Sequence, residues 1–420
     1  MINTNRIFTN YLIVLFSIIP ISLIIGNAVL EINFFFIIIT FIISLNFNRK
    51  YLAEIKNDPI LILLLLFWIY LIFSTFFSLD YSLSIRRNLF FFKFILLIFS
   101  FKYFFLKFNI LNKVINAWAI VMMVVSIDIF IEFYSGANLL GFESPMKNER
   151  IVSFFKDELI VGSFLFAFLF PVVGTLIVNN KKNIGLTLGI LIIICIFISG
   201  ERSVLIKSTL SIIILATTSF FDKKTKVIIL SIFLLTALTV SSNDRFSKRY
   251  FSNVAEQYNL DFKNFYNSAL ETKYLNQSIL TYEIFKKNIF FGVGNKNYHK
   301  ACQEIENKNL SLKCYTHPHQ VYYEFLSEHG AIGTLIIMLL LYYLLFKLDD
   351  KIENKNIRKK IFIFKLYCLV SLLPILPTGS FFSTLNLSLF WINYSFYEIF
   401  KKKLALSFLQ KKPLLYKLDK

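Results

Sequence analysis

Apolar runs long enough to cross a bilayer recur along almost the whole chain, and this limits the fold more than any other feature. Backbone polar groups inside lipid must be satisfied within their own segment, so runs of about 20 apolar residues read as membrane helices. The first run, YLIVLFSIIPISLIIGNAVL at 11–30, carries no charge, and no small-residue cleavage site follows it. It therefore reads as a first span, not a cleaved signal peptide. A chain of 420 residues that is 56% apolar, with a mean hydropathy of +0.62, is too apolar for a soluble globular protein. The net charge of +19 points to basic cytoplasmic loops and away from nucleic acid.

The expected fold is an all-α integral membrane protein, a single polytopic domain over 1–420. About twelve spans are expected, over 11–30, 31–47, 60–78, 88–106, 114–134, 159–178, 183–200, 203–221, 226–241, 320–346, 361–378 and 383–399. An even count puts both termini on one side. The loops NRKYLAEIK, NNKKN, DKKTK and KLDDKIENKNIRKK and the C-terminal tail are lysine-rich, which makes that side cytoplasmic. Residues 242–319 then form one large outer loop, and loops of that length are commonly functional. Within it, LETKYLNQSILTYEIFKKNIF places Leu275, Ile279, Tyr282 and Phe285 at helical spacing, predicting a helix near the membrane surface.

Arginine is distributed against the lysines. Arg6, Arg49 and Arg358 fall on the cytoplasmic side, whereas Arg86, Arg87, Arg150, Arg202, Arg245 and Arg249 face outward. A guanidinium presents a fixed fork of donors that matches phosphate oxygens in pairs. Arg86 and Arg87 precede the fourth expected span and Arg202 precedes the eighth. A cation at a helix N-terminus opposes the helix dipole, while an anion bound there gains from both dipole and arginine. Lys93, seven residues after Arg86, lies within the membrane, where a charge is costly and commonly functional. Snorkelling or lipid headgroup contact is the competing reading. Asp128 and Glu132, four apart, are read as counter-ions for these cations, or else as shaping an acceptor site. Asp157 and Glu158 open the sixth span, where acids suit the helix N-terminus.

Three of the four histidines lie in THPHQVYYEFLSEHGAIG at 316–333. His317 and His319 are too few to hold a zinc ion, and no further ligand completes a set, so no metal and no cofactor is expected. A neutral imidazole can instead take a proton from a hydroxyl. A base beside outward arginines suits attack by a hydroxyl on a carbon whose leaving group is a phosphate, with the arginines neutralising the charge that develops.

The stretch HPHQVYYEFLSEHGAIG resembles the signature of the O-antigen ligase and polymerase superfamily, in which glycine follows a histidine by eleven positions. His319 and Gly330 have that spacing, with Glu328 two before the glycine; Gln320 stands where Asn is common. RIVSFFKDELIVGSFL (150–165), SGERSVLI (199–206, with Ile206 where leucine is usual) and IFFGVGNKNY (289–298) resemble three further family segments in order. The resemblance covers about residues 60–400.

It implies a membrane glycosyltransferase of GT-C type in the bacterial inner membrane, with both termini cytoplasmic. The donor would be a glycan on undecaprenyl diphosphate, and neither nucleotide sugar nor metal would be needed. His319 would be the base. Arg150 and Arg202 would hold the donor diphosphate, and Arg86, Arg87 and Lys93 are further candidates by charge placement. His317 and Glu328 would lie on the substrate side, and Gly292 and Gly294 would permit a tight turn near the sugar. An oxidising periplasm would favour a Cys302–Cys314 disulfide. A ligase would pass the glycan to lipid A–core, and a polymerase would pass it to another lipid-linked repeat. A membrane transporter is the reading from another class, and it would favour charges near the midplane and broken helices.

Overall fold

The computed structural model describes residues 2–147, 149–217, 223–242, 244–252, 273–307, 312–347, 354–374 and 376–411, and every regular element among them is helical. The helices are α1 (Ile2–Ser17), α2 (Ile19–Ile25), α3 (Asn27–Asn46), α4 (Arg49–Lys56), α5 (Pro59–Ser74), α6 (Tyr81–Phe90), α7 (Phe92–Lys107), α8 (Leu111–Ser135), α9 (Val161–Leu169) and α10 (Thr175–Val178). They continue as α11 (Lys182–Ile198), α12 (Arg202–Thr217), α13 (Lys223–Ser242), α14 (Asp244–Ser247), α15 (Lys273–Lys287), α16 (Tyr298–Glu306), α17 (Val321–Leu345), α18 (Lys355–Ser371) and α19 (Thr384–Lys411). A π-turn at Phe170–Gly174 joins α9 to α10 around Pro171.

Seven helical segments among the described residues are long and apolar enough to cross a membrane: Arg6–Ile25, Asn27–Asn46, Pro59–Phe77, Tyr81–Lys107, Leu111–Ser135, Val161–Val178 and Val321–Leu345. Lys182–Ile198 is apolar but shorter. Helices α12, α13, α18 and α19 occupy the other expected positions, and a total of about twelve spans is a proposal resting on them. Residues 253–272 and 308–311 of the expected outer loop, and the Arg245 side chain, lie outside what is described.

Three expected boundaries move, each for a local reason. The first turn falls at Gly26 and not after residue 30, because Gly26 takes φ +138°, a conformation that favours glycine. The fourth span starts at Tyr81, because the Asp80 side chain caps Leu83 N at 3.2 Å. Arg86 and Arg87 therefore sit inside α6, not ahead of a helix N-terminus, and the anion-site argument does not hold for them. Helix α18 ends at Ser371, not near 378, since Pro374 and Pro377 cannot continue it. Pro374 and residues 376–383 instead lie back against the start of α17.

The apolar faces meet in one core that runs the length of the bundle. Helix α19 sits centrally against α7 and α18, burying Trp391, Tyr394 and Tyr397. Trp118 of α8, fully buried, places its indole N–H on Phe16 O at 2.8 Å, which satisfies the one polar atom of a large apolar ring.

Helices α15 and α16 form a small second core of Leu280, Ile284, Val293, Tyr298, Ala301, Cys302 and Leu312. Cys302 and Cys314 are joined by a disulfide, with Cα atoms 5.5 Å apart. The helix expected in this loop is present, but a different face packs. Asn276, Gln277, Leu280, Thr281 and Ile284 are buried, whereas Leu275 and Tyr282 are exposed.

This unit is fixed to α17 at the glycine of the histidine motif. Gly330 interrupts α17 with φ +65°, ψ −168°. The interruption releases backbone partners for the 289–294 segment: Ala331 N donates to Ile289 O (2.7 Å), Val293 N to Ser327 O (2.9 Å) and Gly294 N to Glu328 O (2.9 Å). A Cβ at Gly330 would lie 2.5 Å from Phe290 O, and one at Gly292 would lie 2.5 Å from His329 N. The eleven-position spacing thus runs from the residue before the Gln320 cap of α17 to its kink at Gly330. Gly330→Ala combines strain at positive φ with a clash, and we expect a loss of about 1–3 kcal/mol, read as a lower melting temperature of the detergent-solubilised protein.

Candidate functional site

The SGER turn between α11 and α12 is where distant segments are tied together. Gly200 takes φ +74°, and a Cβ there would lie 2.2 Å from Glu149 O, so only glycine allows the 149–152 segment to lie against the turn. Ile151 N donates to Ser199 O (3.2 Å). Arg249 closes the other side, with Nε on Gly200 O and Nη1 on Glu149 Oε2, both at 3.1 Å.

Glu201 does the central work of this turn. Its buried carboxylate reaches the N-terminus of α9 and accepts from Gly162 N (2.6 Å), Ser163 N (3.2 Å) and Ser163 Oγ (2.7 Å). An anion there meets the orphan N–H groups and the positive end of the helix dipole. Asp157 and Glu158, expected to serve that helix start, are exposed instead. Glu201 Oε2 also lies 4.0 Å from Arg150 Nη2, which itself donates to Leu159 O at 2.5 Å. Burial pushes the Glu201 carboxyl up, and Arg150 and the three donors pull it back. Burial draws the Arg150 guanidinium down, against Glu201.

The histidine motif is positioned from the opposite side. Gln320, the residue that departs from the family pattern, caps α17: its Oε1 accepts from Tyr323 N (2.8 Å) and its Nε2 donates to Pro374 O (2.5 Å). His319, just before the cap, takes φ +53°, and its carbonyl accepts from Thr378 N at 2.8 Å. The His317 ring lies 4.0 Å from the His319 ring. Glu324, one turn into α17, accepts from Ser380 Oγ (2.8 Å), Phe381 N (2.7 Å) and Phe382 N (3.2 Å). The cap and this carboxylate hold Pro374 and residues 378–382 against the histidines.

Between these two constructions lies a cavity of ≈ 380 Å³ whose polar lining includes Arg150, Glu201, Lys207, His317, His319 and Asn386. Phe166, Tyr367, Leu389 and Phe390 form its apolar wall. The chemistry is that of a cationic pocket with imidazoles at its rim.

The other expected site residues lie elsewhere. Arg202 begins α12, close enough for its charge to act on Arg150, but it does not line the cavity. Arg86 is exposed, and Arg87 donates to Thr384 Oγ1 at 3.2 Å. Lys93 pairs with Glu31 of α3. Asp128 and Glu132, expected as counter-ions, hold loop residues: Asp128 accepts from Leu139 N (2.8 Å) and Ser153 Oγ (2.5 Å), and Glu132 from Val152 N (3.0 Å) and Ser153 N (2.5 Å). Glu328 accepts from Lys296 N (2.9 Å) and Tyr298 N (3.2 Å). Together with Gly292 and Gly294 it belongs to the attachment of the α15–α16 unit. Among the described residues no three His, Cys, Asp or Glu side chains cluster as a metal site.

Sequence reasoning passed over Lys207 and Glu201. Lys207 was open to it as a charge inside the apolar run RSVLIKSTLSIIILAT. Glu201 was not, because its role depends on α9 approaching from elsewhere in the chain.

Helices of membrane-crossing length around a cavity lined by Arg150, Lys207 and two histidines mark a multi-pass membrane protein. Residues 187–338 match the family model described as O-Antigen ligase, so the superfamily resemblance carried by the motifs is shown over that segment. The matched residues include Glu201, Arg202, Lys207, His317, His319 and Gly330. The match supports a ligase- or polymerase-type function and a membrane glycosyltransferase-like enzyme. No curated protein matches the chain.

Proposed function

We propose that this protein transfers a glycan from a polyprenyl diphosphate, undecaprenyl diphosphate by the family resemblance, to a hydroxyl of a lipid A–core or similar acceptor. The observation that supports this most is a single cavity lined by both Arg150 and His319. The acceptor hydroxyl gives its proton to the His319 imidazole and attacks the anomeric carbon. The carbon–oxygen bond to phosphate breaks, and the diphosphate leaves with the charge that Arg150 neutralises. His317 lies on the acceptor side, and Arg202 reinforces the positive potential at the turn. No metal is required on this reading, and the architecture is of the GT-C kind, in the inner membrane with both termini cytoplasmic.

Deleting the gene and resolving the surface polysaccharide by gel electrophoresis tests this. A ligase leaves core with no long glycan. Core carrying a single repeat marks the polymerase reading instead, and an unchanged ladder overturns both.

A further inference from the structure

Lys207 has no place in the scheme above, and its surroundings ask for one. It sits on α12 and is 8% exposed, with its side chain on the cavity that Arg150 and His319 line. Among the described residues its ammonium makes no hydrogen bond or ion pair. The acid whose charge acts on it, Glu201, already accepts three hydrogen bonds and faces Arg150. The cavity therefore holds two cations, Arg150 and Lys207, against one carboxylate, with Arg202 adding positive charge nearby. A cation on a largely buried side chain that opens only onto a cavity is stabilised by an anion bound there.

The same three helices say what the anion is attached to. Ser163 and Phe166 of α9, Val204 and Lys207 of α12, and Tyr367 of α18 line this cavity. Farther along, Leu169 of α9 and Val173 of the π-turn after it, Ile212 and Leu215 of α12, and Ile363 of α18 line a second cavity of ≈ 90 Å³ with a nearly wholly apolar wall. Numbering descends along α18 while it ascends along α9 and α12, so all three helices leave the polar chamber in the same direction. Lys207 stands where charge gives way to hydrocarbon.

We propose that Lys207 binds the lipid-proximal phosphate of an isoprenoid phosphate whose tail follows α9, α12 and α18 into the apolar cavity. This rests on the donor reading above and adds a positioning residue to it. Lys207 holds the head at the depth where the sugar-bearing end meets Arg150 and His319.

The test uses the purified full-length protein in detergent, with farnesyl diphosphate, farnesyl phosphate, dodecyl phosphate and inorganic pyrophosphate as probes in calorimetric titration and thermal unfolding. Wild type is expected to bind farnesyl diphosphate about tenfold or more tightly than pyrophosphate. Lys207→Met is expected to lose about tenfold or more of farnesyl diphosphate and farnesyl phosphate affinity, while Lys207→Arg stays near wild type. Removing an unpaired buried charge also raises the ligand-free melting temperature of Lys207→Met, a result that a merely structural lysine would reverse.

Unchanged binding by Lys207→Met, or a destabilised or misfolded Lys207→Met, overturns the assignment of Lys207 and leaves the donor reading standing. Pyrophosphate binding as tightly as farnesyl diphosphate overturns the tail path. Dodecyl phosphate binding as tightly as farnesyl phosphate overturns the isoprenoid in favour of an acyl-type chain. Wild type that binds none of the probes sinks the donor reading together with this one.

Discussion

Replacing His319 by asparagine is expected to abolish glycan transfer while leaving the protein folded in the membrane. The backbone there has φ +53°, which asparagine tolerates better than most residues. The two interactions that position the loop are independent of the ring, because Thr378 N donates to the His319 carbonyl and the cap of α17 is made by Gln320. The substitution thus removes the imidazole, with its ring contacts to His317 and Tyr315, and keeps the backbone interactions of the loop. A positioned base contributes about 10²–10⁴-fold to rate, so long surface glycan should fall below detection on a gel while immunoblotting shows a normal amount of protein in membranes. Transfer at the wild-type level would remove His319 from the chemistry. Arg150→Ala should give the same gel through loss of the cation. Its comparison with Arg202→Ala separates a guanidinium that lines the cavity from one that does not.

Glu201→Ala has the largest expected effect on stability. The carboxylate is buried and accepts from two N–H groups of α9 and from Ser163 Oγ, and it lies opposite Arg150 at 4.0 Å. Alanine leaves an uncapped buried helix terminus and an uncompensated guanidinium. Breaking a buried charged arrangement on one side costs about 3–5 kcal/mol, which should appear as a marked drop in melting temperature of the solubilised protein. Glu201→Gln keeps an acceptor oxygen for one N–H group but not the charge, so it should fall between alanine and wild type. A melting curve for Glu201→Ala that overlays wild type would show that the turn is held by something else. Transfer is expected to be lost in both variants, because Glu201 aligns Arg150 as well as α9.

Part of this site was legible without coordinates. The spacing of His319 and Gly330, the outward arginines and the SGER turn each pointed to the segments that meet at the cavity. Motif and proximity in sequence could not tell a residue that lines the cavity from one that builds it. Glu328, Gly292 and Gly294 carry a family pattern, yet they fasten the α15–α16 unit to the kinked α17. Arg86 and Arg87 sit nearly two turns beyond the Asp80 cap, so a hydropathy boundary at 88 places them ahead of a helix that has already begun. An expected span ending at 378 follows from hydropathy, because the apolar residues after Ser371 outweigh Pro374 and Pro377 in such a reading.

The sequence by itself determined that the chain is helical and membrane-bound, because the length and polarity of a run decide whether its backbone can be satisfied in lipid, and both are local properties. It also determined where histidine and arginine are concentrated. Only the tertiary structure decided that Arg150, Lys207 and His319 share one chamber and Arg202 does not line it, that Glu201 is a helix cap, and that Lys93 pairs with Glu31. Those outcomes depend on which helix faces approach one another, and that is settled by packing among segments far apart in the chain.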